Sequence, residues 1–179
     1  GLKQSIGTAA ADFVNPGDTI ILDAGVTTAY LAAALRGRKE IQVITNSVRV
    51  LTALVGESGI GLISTGGIAR PESQSLVGPN AENMLRELRA DKVFLGGAGI
   101  SVGFGLSNEN MAEASVKRAM IGAAREVFLL ADHTKIGMES LIKIADLEAI
   151  DTLIVDAGIS VHDRTAFTQG GVNVVVADQ

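Results

Sequence analysis

Short apolar runs rich in Ile, Val and Leu alternate along this chain with segments whose apolar positions recur at helical spacing. The runs predict strands at 19–23, 41–45, 61–64, 92–95, 127–131, 153–156 and 173–176. The patterns between them predict helices at 3–14, 27–35, 47–55, 81–88, 110–124 and 163–168, and 142–147 is placed as a further short strand and turn. TIILD, VFLG and VFLLAD are apolar almost throughout rather than alternating, as in strands covered on both faces. The expected fold class is therefore α/β, an open and mostly parallel sheet with helices on both faces. In the helix at 27–35, Tyr30, Leu31, Ala34 and Leu35 share one side, and Gly37 is placed to end it.

With 179 residues, 47% of them hydrophobic, the chain suits a single domain, and no low-complexity linker or solenoid repeat divides it. A formal net charge of -5 and the absence of any run of Lys and Arg argue against nucleic-acid binding by this chain alone. There is no cysteine, so disulfides and thiolate metal sites are excluded. His133 and His162 lack the spacing to share a metal, and neither a metal nor a cofactor is expected. The longest uncharged stretch, 93–108, is interrupted by glycines and falls short of the roughly 20 apolar residues that cross a bilayer. No secretory signal is visible at the start, so the cytoplasm is the expected location and no membrane partner is expected. With no Trp and one Tyr, a sugar site here would work through hydrogen bonds and charge rather than stacking.

Ligands of open parallel sheets bind beyond the carboxyl ends of the strands, so the residues following each apolar run are the candidates. At 23–28 the chain reads Asp-Ala-Gly-Val-Thr-Thr, where Gly25 permits a tight path and Thr27 and Thr28 stand at the start of a helix. Two readings fit: the threonines and the free amides hold a phosphate, or a threonine simply caps the helix. Lys135, soon after VFLLAD, either supplies the counter-charge or is a solvated surface lysine. Lys117 follows Glu113 by four residues, which an i,i+4 ion pair explains, and Asn110 with Glu113 fits a capping box. ILDAG at 21–25 recurs as IVDAG at 154–158, read as two strand ends carrying a favourable Asp and a turn glycine.

DAGVTT, VITNS, TGG, FLGGAGIS with GFGLSNENMAEASVKRAMI, and ADHTKIG follow one another in an order and spacing that resemble the effector-sensing domain of DeoR-type transcriptional repressors. The resemblance runs from about Ile6 to Val176. It implies the fold of ribose-5-phosphate isomerase, glucosamine-6-phosphate deaminase and coenzyme A transferases, and a phosphorylated sugar or related metabolite as effector. The implied pocket comprises Asp23, Gly25, Thr27, Thr28, Thr45, Asn46, Gly66, Gly67, Gly97, Gly99, Lys117 and Lys135. Family members place a winged helix-turn-helix ahead of this domain. Residues 1–179 are therefore expected to be one sensing domain without that module, which alone would contact operator DNA, and a homo-oligomer, dimer or tetramer, is implied. Many relatives read DAGTTT; Val26 removes one hydroxyl here and leaves Thr27 and Thr28 to coordinate. Where the isomerase resembles an Asp-Gly-Ala-Asp run, this chain has Gly96-Gly97-Ala98-Gly99, which has no side chain able to move a proton. No catalytic residue is therefore expected. An isomerase-like enzyme using Asp23 or Asp132 as base, or an assembly domain that senses nothing, are the alternatives.

Overall fold

The computed structural model describes residues 1–178. In chain order the elements are α1 (Leu2–Ala10), β1 (Thr19–Leu22), α2 (Val26–Leu35), β2 (Ile41–Thr45), α3 (Val48–Leu54), β3 (Ile60–Ser64), β4 (Ile68–Arg70), β5 (Ser75–Val77) and α4 (Pro79–Arg86). There follow β6 (Ala90–Leu95), β7 (Gly99–Ser101), β8 (Gly105–Asn108), α5 (Met111–Ala123), β9 (Ala124–Leu130), β10 (Ile142–Ala145), β11 (Thr152–Asp156), α6 (Val161–Gln169) and β12 (Asn173–Ala177).

The seven strands expected from the apolar runs form one parallel sheet in the order β12-β11-β9-β6-β1-β2-β3. Alternate residues of each strand enter separate cores. Ile20, Leu22, Phe94, Phe128 and Leu130 pack beneath Ile6 of α1, Leu31 and Leu35 of α2, and Val50 and Leu54 of α3. Ile21, Val93, Leu95, Val127 and Leu129 pack beneath Leu85 of α4, Val116 and Met120 of α5, and Phe167 of α6. Phe94 and Phe128 stack at 4.8 Å between ring centroids, joining β6 to β9 inside the first of these layers. Tyr30 departs from expectation: it is 40% exposed, and Leu31, Ala32 and Leu35 form the buried side of α2.

Several short strands lie outside the apolar-run pattern. β4 and β5 form an antiparallel hairpin, and β8 pairs antiparallel with both β7 and β10 in a small sheet. β8 enters through Gly105, whose φ of +83° and approach to the Ala145 carbonyl suit no other residue. Ser47 starts α3 by accepting from the Val50 amide, Asn110 starts α5 by accepting from Glu113, and Ser160 starts α6 by accepting from Asp163. No helix among the described residues is long and apolar enough to cross a membrane.

Candidate functional site

Strand order reverses between β1 and β6: the chain winds from β1 through β2 to β3, then returns to β6 and continues through β9 and β11 to β12. Helices leaving two such neighbours diverge to opposite faces and leave a crevice at the strands' carboxyl ends. A cleft of about 550 Å³ lies there, a size suited to a small metabolite.

At its centre α2 begins. Gly25 is the N-cap, in extended backbone, and no side chain caps the helix, so neither threonine plays that part. The first intrahelical bond runs from the Ala29 amide to the Gly25 carbonyl at 3.2 Å. The amides of Val26, Thr27 and Thr28 therefore belong to the first turn, and no protein acceptor among the described residues takes them. Thr28 is buried and its hydroxyl donates to the Asp23 carbonyl at 2.6 Å, whereas the Thr27 hydroxyl makes no such bond among the described residues. A Cβ built on Gly25 would meet only the Thr28 hydroxyl, at 3.6 Å, so the approach to these amides is open.

Asp23, buried where β1 ends, is ion-paired with Lys117 of α5, itself 6% exposed. The same carboxylate accepts from the Gly96 amide at 3.0 Å, and Lys117 also donates to the Gly96 carbonyl at 3.1 Å. One buried pair thus ties the ends of β1 and β6 to α5. The i,i+4 pairing expected between Glu113 and Lys117 does not form. Asn110 accepts from the Glu113 amide as a capping residue should, but the Glu113 carboxylate turns to Arg70, Ser75 and Asn108. Glu113 thereby fastens the β4–β5 hairpin to α5 across one wall of the cleft. Burial acts to raise its carboxyl, but hydrogen bonds from the Ser73–Ser75 hydroxyl pair and Asn108 and the charges of Lys117 and Arg70 outweigh burial and hold it below its ordinary value.

The sign of the pH effect follows. The native state keeps Glu113 ionised at lower pH than the unfolded chain does, so its contribution is complete above the ordinary value near 4.5 and is lost as pH falls through the lowered one. Glu113→Gln is expected to flatten the decline of stability below that pH in urea titrations; an unchanged slope would show that other carboxylates dominate.

Asn46 ends β2. Its Nδ2 donates to the Leu76 carbonyl at 3.0 Å while its backbone carbonyl accepts from the Leu76 amide, which docks the hairpin on this side as well. That bond fixes which way the amide faces and leaves Oδ1 without a partner, the one such buried side-chain atom among the described residues. Beyond β9, Asp132 caps the turn at His133–Lys135 by accepting from Thr134, and the Lys135 side chain has no hydrogen-bond or ion-pair partner among the described residues. The second DAG copy does different work: Asp156 accepts from the His133 amide, its ring and the Gly158 amide, at 2.7 to 2.9 Å, as a local clasp outside the cleft.

Of the expected pocket residues, Asp23, Gly25, Thr27, Thr28, Asn46, Gly97, Lys117 and Lys135 line this cleft. Thr45, Gly66, Gly67 and Gly99 do not. The Thr45 hydroxyl donates to the Leu22 carbonyl at 2.7 Å and holds β1 to β2. Gly66 and Gly67 turn the chain from β3 to β4 with φ of +65° and +120°, and Gly99 lies against the Met138 backbone. Gly97, which does line the cleft, also packs on Leu106. Arg70, Ser73, Ser75 and Asn108 line the cleft unforeseen, because they belong to short strands and turns without apolar periodicity; Arg70 following TGG was the one cue.

The architecture is that of an open parallel α/β sheet with a cleft at its topological switch point. Solved structures with this fold include ribose 5-phosphate isomerase from Plasmodium falciparum, with a TM-score of 0.56 and 16% identity over 78% of this chain and 54% of that one. Another is eIF2B delta from Chaetomium thermophilum, at a TM-score of 0.53 and 19% identity over 81% of this chain and 56% of the other. The chain belongs to the DeoR C terminal sensor domain family, whose model matches residues 1–157. Among curated relatives, a putative aga operon transcriptional repressor of Escherichia coli O157:H7 is 35% identical over 99% of this chain. The uncharacterized HTH-type transcriptional regulator YulB of Bacillus subtilis is 39% identical over 88% of it. The chain spans 66% and 60% of these two relatives' lengths.

Proposed function

We propose that this chain is the effector-sensing domain of a longer, cytoplasmic transcriptional regulator of carbohydrate metabolism and that its cleft binds a phosphorylated sugar or a closely related metabolite. The observation that carries the reading is the convergence, in one cleft, of three unclaimed helix-start amides with the buried, unpaired Oδ1 of Asn46. The amides suit a phosphate, because a helix start presents free donors and partial positive charge. Asn46 Oδ1 calls for a donor, which a sugar hydroxyl supplies and a phosphate dianion does not. Lys135 is the available counter-charge, and Lys117 is already neutralised by Asp23. The relatives named as HTH-type regulators and repressors support a DNA-binding module preceding this domain, which would alone contact the operator. Homo-oligomerisation would hold two or more such modules together. Effector binding can alter operator affinity only by favouring one arrangement of these parts over another.

Sensing rather than turnover is supported by the fixed state of the carboxylate nearest the helix start. Asp23 is held by Lys117 and the Gly96 amide, and the run 96–99 offers no acid or base. Calorimetric titration with ribose 5-phosphate, other phosphorylated sugars and their unphosphorylated parents tests the reading. Tighter binding of a phosphorylated member is expected, and equal affinity for each sugar and its phosphate would overturn the phosphate assignment. NMR of ribose 5-phosphate mixed with the protein is expected to show no interconversion; conversion abolished by Asp23→Asn would establish the enzyme instead.

A further inference from the structure

Four cations line the cleft, and they are not equivalent. Lys117 is bound to Asp23 and Arg70 to Glu113, whereas Lys135 and Lys3 have no carboxylate partner among the described residues. Lys3 belongs to α1, which contributes no other residue to the cleft wall. It also lines a neighbouring depression together with Val26, Tyr30, Asp132 and Thr134, which places it beside the start of α2 and the turn that carries Lys135.

The packing of α1 explains why Lys3 stands there. One helical turn further on, at i+4 and so on the same face, Gly7 is pressed against α2. A Cβ on Gly7 would lie 2.7 Å from the Thr27 carbonyl, 2.6 Å from the Tyr30 Cβ and 2.8 Å from the Leu31 amide. Only glycine allows this approach, and it keys α1 to the first turn of α2. Side chains lean toward their helix's N-terminus, so the face that meets α2 at Gly7 carries Lys3 out past the helix start and into the mouth of the cleft. The cleft also holds the carboxylates of Glu109 and Asp132, but neither forms an ion pair with Lys3 or Lys135 among the described residues, so both ammonium groups remain available to a bound anion.

We propose that Lys3 is an anion-binding residue of the cleft and that, through it, occupancy of the cleft is transmitted to the first turn of α1. This rests on the reading of the helix start as an anion site. An anion bound by Val26–Thr28 and Lys135 recruits the Lys3 ammonium as its remaining counter-charge and pulls on the turn from Leu2 to Ser5, which the Gln4 and Ser5 amides close onto the Gly1 carbonyl. Chain preceding α1 would then leave from a segment whose position depends on the ligand.

An NMR titration with inorganic phosphate, followed by a repeat with ribose 5-phosphate, on the wild type, Lys3→Gln and Lys3→Arg tests this. Lys3 is exposed, so neither substitution disturbs the core. In the wild type, saturable shifts are expected at the amides of Val26–Thr28 and of Leu2–Ser5 with one shared dissociation constant. In Lys3→Gln, the Val26–Thr28 shifts persist at roughly 5- to 10-fold weaker affinity and those of Leu2–Ser5 disappear, and Lys3→Arg restores both, as expected of a charge-assisted contact. Equal affinity for Lys3→Gln, or silence of Leu2–Ser5 in the wild type, overturns this inference while leaving the anion site standing. Silence of Val26–Thr28 toward both probes overturns the anion site itself.

Discussion

Lys117→Met is expected to lower the free energy of unfolding by about 3–5 kcal/mol, because it strands the Asp23 carboxylate without its partner in a site where both groups are buried. For a chain of this size each kcal/mol corresponds to roughly 2–4 °C in Tm. The double variant Asp23→Asn/Lys117→Met removes the charge along with its partner and is expected to recover part of the loss. Urea denaturation of the two variants is the measurement. If the double variant is as unstable as the single, the loss stems from packing around the lysine stem and not from the uncompensated charge. The pair also joins three walls of the cleft through the Gly96 peptide, so sugar-phosphate affinity is expected to fall together with stability.

Lys135→Met should separate these two quantities. The side chain has no protein partner among the described residues, so Tm is expected to stay within about 1–2 °C of wild type, as for most surface substitutions. Hydrogen bonds to charged groups are worth about 1.5–3 kcal/mol, which corresponds to roughly a 10- to 100-fold loss of affinity for whichever phosphorylated sugar binds in the calorimetric titrations. Affinity for the unphosphorylated parent should not change. A uniform loss for both would place Lys135 against the sugar hydroxyls instead of the phosphate.

The seven parallel strands were legible because both sheet faces are covered, and such strands must be apolar throughout: Ile20 and Leu22 face one core, Ile21 the other. β4, β5, β7 and β8 were not. Their residues are short, polar or glycine-rich, and they extend because of what they dock against, as Asn46 does to Leu76 and the Ala145 backbone does to Gly105. Asp23, Gly25, Thr27, Thr28 and Asn46 could be singled out because they directly follow apolar runs. The partners of Lys117 and Glu113 could not. Helical spacing joins them to each other, whereas burial hands Lys117 to a carboxylate 94 positions away and Glu113 to a hairpin 43 positions away. Of the two readings open at 27–28, the threonine cap fails for a local reason: Gly25 takes the capping position without a side chain and leaves the amides open.

The reversal between β1 and β6 also dictates the order in which the cleft is assembled during synthesis. Ile20 to Leu22 are made early, yet their neighbours on one side, Lys92 to Phe94, emerge some 72 residues later, and Lys135 later still. Until then β1 is the raw border of a half-built sheet, with its hydrogen-bonding groups open to any passing strand. A nascent polypeptide ending anywhere before residue 135 carries the helix start without Lys135, so the anion site proposed for the cleft is incomplete until that residue has been made.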